Sequence, residues 1–447
     1  MVRFENSGMR PQTFRDIVHP SCGESSQATG NKRDILRKRL TAIDLFSGAG
    51  GITLGVSAAG FDVLLANDID SAGARTHQQN FQTTRFVQGS VTSLDGKFIC
   101  KLTGLRPGDL DLLIAGPPCQ GFSAIGARTV GDPRNDLFRE LLRIGKALRP
   151  KCIVIENVPG LITLARGAIL RAILEGLRTL GYTTGFAELL AAQYGVPQMR
   201  WRMFFVGFRR ELDLPPDIGF PLPTHGSRGI GELVPNCTIE PADFMGFMTT
   251  RDAIADLPPV GPGQEVCRYT GVATRNYQKE MRVGLSHELF NHYAPKLAAR
   301  NIARIMALRP GQDWRDLPRH LLPPGMRRAK RKDHTRRYSR MTWDGVPRSI
   351  ITRFRDPKSG EYTHPEQDRT ITIREAARIQ SFPDWFIFEG SNSERYDQVG
   401  NAVPPKLAQA VAREVANCLH GQVGHRLVNA FRRRPSIRQA SLPLDAF

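Results

Sequence analysis

Thr41-Ala42-Ile43-Asp44-Leu45-Phe46, followed at once by Ser47-Gly48-Ala49-Gly50-Gly51, is the stretch that decides the fold. A short apolar run that breaks into a glycine turn reads as a buried strand feeding a helix. The same signature recurs in Asp62–Asn67 (DVLLAN), Asp109–Gly116 (DLDLLIAG) and Lys151–Asn157 (KCIVIEN). Runs that are apolar throughout, rather than alternating, belong to strands covered on both faces, as in parallel sheets. Helical patterns lie between and after them. Asp136–Arg149 sets Leu137, Leu141, Ile144 and Leu148 on one face and stops before Pro150. Ala168–Leu180 repeats apolar residues at helical spacing, with Gly181 as its C-cap. Strand–helix alternation of this kind predicts a doubly wound, Rossmann-like α/β domain.

The rhythm stops after Gly207, where LPPD, FPLPTHG and DLPPVGPG follow one another. It resumes with a helix over Ile371–Ser381 and another after Val403-Pro404-Pro405. The expected organisation is therefore a poorly ordered extension over 1–40, a catalytic α/β part over 41–207 and a smaller irregular region over 208–394. A return to the first part over 395–424 and a basic tail over 425–447 complete it. Seven scattered cysteines with no C-x-x-C pair argue against a disulfide framework and against a zinc site, so no metal is expected. The 62 Lys and Arg against 43 Asp and Glu give a formal net charge of +19. Such a charge suits a polyanionic partner, since phosphate neutralisation supplies most non-specific nucleic-acid affinity. One dense basic run, Arg319–Arg340, lies inside the chain rather than on a tail. No run approaches the roughly 18 apolar residues of a membrane span, and the first residues lack the apolar core of a secretory signal. A cytoplasmic, nucleoid-associated protein with no membrane partner is the expectation.

Four motifs carry chemistry. The Asp44–Gly51 turn lets backbone approach a ligand at a strand's carboxyl edge, and Asp68 ends the next strand, where a carboxylate can accept from a ribose diol. Gly116-Pro117-Pro118-Cys119-Gln120-Gly121-Phe122-Ser123 fixes its backbone with two prolines and presents a cysteine. Free cysteines are most often inert core residues, but one between Pro-Pro and Gln-Gly is placed unlike them, and a positive neighbourhood favours its thiolate. Glu156, in Glu156-Asn157-Val158, stands at another carboxyl edge, where a helix cap is the bland alternative. Arg200 and Arg202 alternate in Gln193–Arg202, so in an extended segment they face one way and can share an anionic partner, if they are not simply a solvated strand edge.

The order and spacing of these motifs resemble the DNA cytosine-5 methyltransferases over Thr41 to about Gln422, including Asp132–Asn135, Arg369–Phe386 and Gln398–Pro404. The resemblance implies that Cys119 adds to C6 of cytosine, activating C5 towards the methyl group of S-adenosyl-L-methionine and leaving S-adenosyl-L-homocysteine. Glu156 would serve the N3 edge, with Arg202 steadying the base and Arg200 in support. The target base, stacked in a duplex, would have to be flipped out. For the cofactor the resemblance implies Phe46 on the adenine and Ser47, Gly48, Gly50 and Gly51 near the methionine part. Asp68 would take the ribose and Ile69 the ring, with Pro117, Asn401 and Val403 closing the pocket. Ser90 stands where the family often has an acidic contact to the adenine amino group, and a serine would replace it only weakly.

For the DNA, Gln120 and Ser123 beside the nucleophile are expected contacts, and Arg327, Arg328, Arg336, Arg337, Arg353 and Arg355 are candidates for reading bases and phosphates. Duplex DNA is the expected partner of a monomer, with a cognate restriction endonuclease as a further one. The alternatives are a tRNA cytosine-5 methyltransferase on the same scaffold and a catalytically silent paralogue. A dinucleotide oxidoreductase would leave Pro-Pro-Cys-Gln without a purpose.

Overall fold

The computed structural model describes residues 39–118, 137–162, 167–214, 219–226, 244–329 and 336–422. At its centre is a seven-stranded sheet in the order β3-β2-β1-β4-β5-β7-β6. The strands are β1 (Thr41–Leu45), β2 (Asp62–Asp68), β3 (Arg85–Gln88), β4 (Leu112–Ala115), β5 (Cys152–Asn157), β6 (Tyr182–Leu190) and β7 (Trp201–Arg209). β1 to β5 run parallel, and β7 enters antiparallel between β5 and β6. Phe46, expected in the first strand, leaves it instead and adopts a left-handed φ of 59°, which swings the chain from the sheet into the glycine turn.

Both faces are covered, and the strands sort their side chains between them as the two-residue period requires. Ala42, Leu112, Ile114, Val154 and Phe204 pack with α1 (Gly51–Ala58) and α11 (Pro405–Leu419). Ile43, Leu45, Leu113, Ile153 and Phe205 point the other way, onto α3 (Gly96–Thr103), α4 (Leu137–Leu148) and α5 (Ala168–Thr179). This is the doubly wound α/β architecture expected from the sequence. α2 (Ser71–Asn80) connects β2 to β3. α11 lies so close on α1 that a Cβ at Gly55 would be 2.4 Å from the Pro405 carbonyl oxygen.

The described residues between Gly207 and His364 hold short pieces only: α6 (Thr250–Ile254), α7 (Asn276–Met281), α8 (Ala299–Met306) and the two-residue or three-residue strands β8 (His225–Gly226), β9 (Met245–Gly246), β10 (Ser339–Arg340) and β11 (Glu361–Thr363). They are held to the scaffold by α9 (Ile373–Ile379), shorter than the helix expected over Ile371–Ser381 because Ser381 turns left-handed at φ 68°. Thr372 and Glu375 close a capping box at its start. Its arginines are buried. Arg378 grips Asp384 (2.6 Å) and Asp256 (2.7 Å), and Arg374 donates to the carbonyls of Phe290, Pro383 and Phe386. Nearby Arg369 pairs with Glu375 at 2.7 Å. Removing one partner of such a pair strands a buried charge and costs about 3–5 kcal/mol, so this network fixes one arrangement of α9 against its neighbours. α10 (Asn392–Asn401) then leads into α11. Among the described residues no helix is long and apolar enough to cross a membrane.

Candidate active site

The strand order reverses between β1 and β4, and in open α/β sheets ligands bind outside the carboxyl ends of strands at such a point. The two loops named by the sequence leave the sheet here side by side, with the Gly116 amide donating to the Leu45 carbonyl at 3.3 Å.

On one side is the glycine turn. Ser47 N donates to the Asn67 carbonyl at 3.0 Å, and Gly48 N donates to Asp68 Oδ2 at 2.8 Å. Asp68 Oδ1 accepts from Asp70 N at 2.9 Å. A carboxylate has about four acceptor sites, so Asp68 is fixed by two bonds and keeps others for a ligand. Burial raises its pKa. Gly50 has φ 100°, and a Cβ there would lie 2.4 Å from the Phe81 ring. At Gly51 the Val403 carbonyl oxygen is 2.5 Å from a built Cβ, which brings Val403 against the turn. Ile69 is 71% exposed beside Asp68, an apolar platform at the mouth of the turn. Ser90 does not present a free hydroxyl here, because its Oγ lies 2.8 Å from Thr92 Oγ1 and accepts from Thr92 N at 3.3 Å. Asn401 is exposed at the end of α10.

The sequence named Asp44 within its motif but gave it no role. Asp44 is fully buried, and its Oδ2 accepts from Thr53 Oγ1 at 2.6 Å, while Thr53 lies 3.1 Å from His77 Nε2. Burial raises the Asp44 pKa to about 7 and lowers that of His77 to about 3. Asp44 Oδ1 has no hydrogen-bond partner among the described residues.

On the other side of the switch point, Pro117 is buried and its carbonyl accepts from Asn157 Nδ2 at 3.0 Å, so the end of β5 pins the Pro-Pro segment. The motif Glu156-Asn157-Val158 by itself assigns Asn157 no function. Cys119, Gln120 and Ser123 lie outside the described residues. Glu156 is 8% exposed, with Arg202 Nε 2.8 Å from its Oε1, and a Cβ at Gly116 would stand 3.3 Å from its other oxygen. Burial raises the Glu156 pKa, and Arg202 and Arg200 draw it back down.

Arg200 does not share this carboxylate by direct contact, as an extended Arg-x-Arg segment suggested. Its guanidinium donates to Ser349 Oγ (3.1 Å) and to the carbonyls of Ile350 (2.6 Å), Gly400 (3.0 Å) and Ala402 (3.0 Å). The reason is local. Arg200 precedes the first residue of β7, and burial there leaves backbone oxygens as its partners. Gln198 joins it, accepting from Ile350 N at 2.8 Å and donating to Gln380 Oε1 at 2.9 Å.

The basic candidates are dispersed. Arg327, Arg328, Arg353 and Arg355 are exposed, and Arg337 is partly so. Arg336 is bound to Glu361 at 2.8 Å, and Arg355 donates to Ser393 Oγ at 3.2 Å. Arg340, at the end of the basic run, turns inward to Asp368 at 2.5 Å and is not a surface cation. Among the described residues no group of three or more His, Cys, Asp or Glu could hold a metal ion.

The switch point thus has a glycine turn on one side and, on the other, a buried Glu156–Arg202 pair beside the Pro117-Pro118 segment. Residues 40–417 match the family described as C-5 cytosine-specific DNA methylase, and the chain belongs to it. It is a DNA (cytosine-5) methyltransferase. It is 31% identical to the Type II methyltransferase M.AgeI of Thalassovita gelatinovora, over 84% of this chain and 99% of that protein. It is 35% identical to the Type II methyltransferase M1.HphI of Haemophilus parahaemolyticus, over 84% of this chain and 86% of that one. Among solved structures, a prophage-encoded protein of E. coli assigned as a DNA modification methyltransferase superposes with a TM-score of 0.64 at 25% identity, covering 85% of this chain and 99% of its own. Spodoptera frugiperda DNMT2 shares the fold, with a TM-score of 0.53 at 15% identity over 84% of this chain and 99% of its own.

Proposed function

We propose that the chain methylates C5 of a cytosine in a specific duplex DNA sequence, with Cys119 as nucleophile and S-adenosyl-L-methionine as donor. The observation that carries the reading is the buried Glu156–Arg202 pair at 2.8 Å, held at the switch point next to the Pro117 loop that leads into Cys119. The glycine turn fits the cofactor. Asp68 is fixed by two amides yet keeps acceptor capacity for a ribose diol, and Ile69 exposes an apolar face beside it. Phe46, Ser47, Gly48, Gly50, Gly51, Asp68, Ile69, Pro117, Asn401 and Val403 would form the pocket, and Ser90, its hydroxyl already engaged, would contribute little. When bound, the cofactor supplies a methyl group on a sulfonium.

The chain's own residues do the rest. The Cys119 thiolate adds to C6, which removes ring aromaticity and moves negative charge towards N3 and C5. Glu156 holds a proton at N3 as that charge develops, and the raised pKa of its carboxyl suits it to keep one. Arg202 orients the carboxyl. Arg200 acts behind it, through the backbone. Once C5 carries the methyl group, its hydrogen leaves as a proton to solvent, the bonding pair restores the C5–C6 double bond, and the Cys119 thiolate is expelled. C6 is inaccessible in a stacked duplex, so the base is flipped into the site at a cost of a few kcal/mol.

In this reading 41–207 and 395–424 carry the chemistry and 208–394 reads the sequence. The Type II names of the relatives favour a setting with a restriction endonuclease acting on the same site. The test is methyl transfer from labelled cofactor to duplex DNA, with the product mapped by bisulfite sequencing. Label at C5 of cytosine in one sequence context is expected. Transfer to tRNA in place of duplex DNA would overturn the reading.

A further inference from the structure

The segment Pro347–Arg353 is a strap bound to the catalytic motif along its inner side. Met199 N donates to the Pro347 carbonyl at 2.8 Å, and Met199 and Arg348 form an isolated parallel bridge. Ile350 is fully buried, its amide held by Gln198 and its carbonyl by Arg200. Tyr362 Oη donates to the Ser349 carbonyl at 2.8 Å. A Cβ at Gly400 would lie 2.3 Å from Thr352 N, so only glycine lets α10 approach this closely. The strap's inner side is thus fixed to the residues around Glu156–Arg202 and to the chain leading to Val403.

Its outer side carries Arg348, Ile351 and Arg353, all exposed. Arg348 has no hydrogen bond or ion pair among the described residues. Glu361, the acid whose charge acts on Arg348, is ion-paired with Arg336 at 2.8 Å. Partial burial and the neighbouring Arg336 lower the pKa of Arg348, and Glu361 offsets this only in part. An arginine whose charge is opposed by a second cation, with no carboxylate of its own among the described residues, is stabilised by an incoming anion.

We propose that Arg348 is a further DNA-binding residue, presenting its guanidinium to a backbone phosphate of the strand that enters the catalytic site. The proposal rests on the duplex DNA reading above. The strap's attachment to Met199, one residue from Arg200, gives that phosphate contact a fixed position relative to Glu156–Arg202. Arg348 therefore positions the strand and reads no base.

The experiment compares the native chain with Arg348→Ala and Arg348→Lys, and with Lys97→Ala, an exposed cation on α3 that serves as a control for net charge. Duplex affinity is measured from about 50 to 200 mM salt, together with kcat and KM for DNA and for cofactor. One lost phosphate contact lowers the log–log salt slope by about 0.9, roughly a 3.5-fold smaller fall in affinity across that range. Arg348→Ala is expected to show this change and a raised KM for DNA, with cofactor KM unaltered. Arg348→Lys should keep the slope and Lys97→Ala should not change it. An Arg348→Ala slope equal to native, in a protein whose native form binds and methylates duplex DNA, overturns the inference alone. A native chain that does not bind duplex removes the DNA reading and the inference with it.

Discussion

Replacing Glu156 with glutamine keeps the size and one acceptor oxygen of the side chain while removing its ability to hold a proton. Arg202 Nε, 2.8 Å from Oε1, can still donate to the amide oxygen. The folding cost is the difference between a charged and a neutral acceptor, about 1–2 kcal/mol. It is partly offset because a carboxylate at 8% exposure no longer has to be desolvated. The catalytic cost is larger. A positioned general acid contributes about 10²–10⁴-fold, which is ~3–5.5 kcal/mol of barrier. The assay is kcat for methyl transfer to duplex at saturating cofactor and DNA, with thermal unfolding recorded on the same preparations. Glu156→Gln is expected to melt within a few degrees of native yet lose at least about a hundredfold in kcat. The pH profile adds a sign. A raised carboxyl pKa keeps the proton to higher pH, so the native rate should fall on the alkaline side as Glu156 ionises, and the variant should lack that limb. A folded Glu156→Gln protein with kcat within about tenfold of native would refute the proton-holding role.

Two other residues give separate tests. Asp44 has a folded pKa of about 7 against 3.8, so it stabilises the fold fully below the lower value, and this is lost as pH rises to the upper one. Asp44→Asn should remove roughly 2–3 kcal/mol of native pH dependence between about pH 5 and 7.5, read as the difference between the two denaturant titrations; parallel curves would show that Asp44 titrates normally. Ile69→Ser should raise the cofactor KM by roughly 5–30-fold, the worth of about 1–2 kcal/mol of apolar contact. Its melting temperature should hardly move, since the side chain is already 71% exposed; an unchanged KM would take Ile69 out of the pocket.

β1, β2, β4 and β5 were legible because they are largely buried and read as short apolar runs, whereas the edge strand β3, Arg85–Gln88, is only partly buried and carries no such run. β6 was missed for the same reason. At the sheet edge its middle is only partly buried, and Tyr182–Leu190 mixes threonine, glycine and glutamate into the pattern. Glu156 and Arg202 were legible as a pair of motifs, and their contact follows from the register of β5 with β7, in which Glu156 opposes Phe204. The partners of Arg200 were not legible. Alternation states which way a side chain faces, whereas its partners come from Ile350, Gly400 and Ala402, some 150 to 202 positions along the chain. Asp44 and Asn157 were quoted as letters of motifs, but a hydrogen bond to Thr53 or to the Pro117 carbonyl leaves no periodic trace. The inward turn of Arg340 was hidden in a basic run, because its partner Asp368 lies 28 positions further along the chain.

The most direct test of the central claim compares the native chain with Cys119→Ser on duplex DNA and labelled S-adenosyl-L-methionine, with the modified base located by bisulfite sequencing. Label in C5 of cytosine within one sequence context, abolished in the serine variant while cofactor binding persists, is the expected result. Transfer that survives in Cys119→Ser, or that reaches no duplex with the native chain, would contradict it.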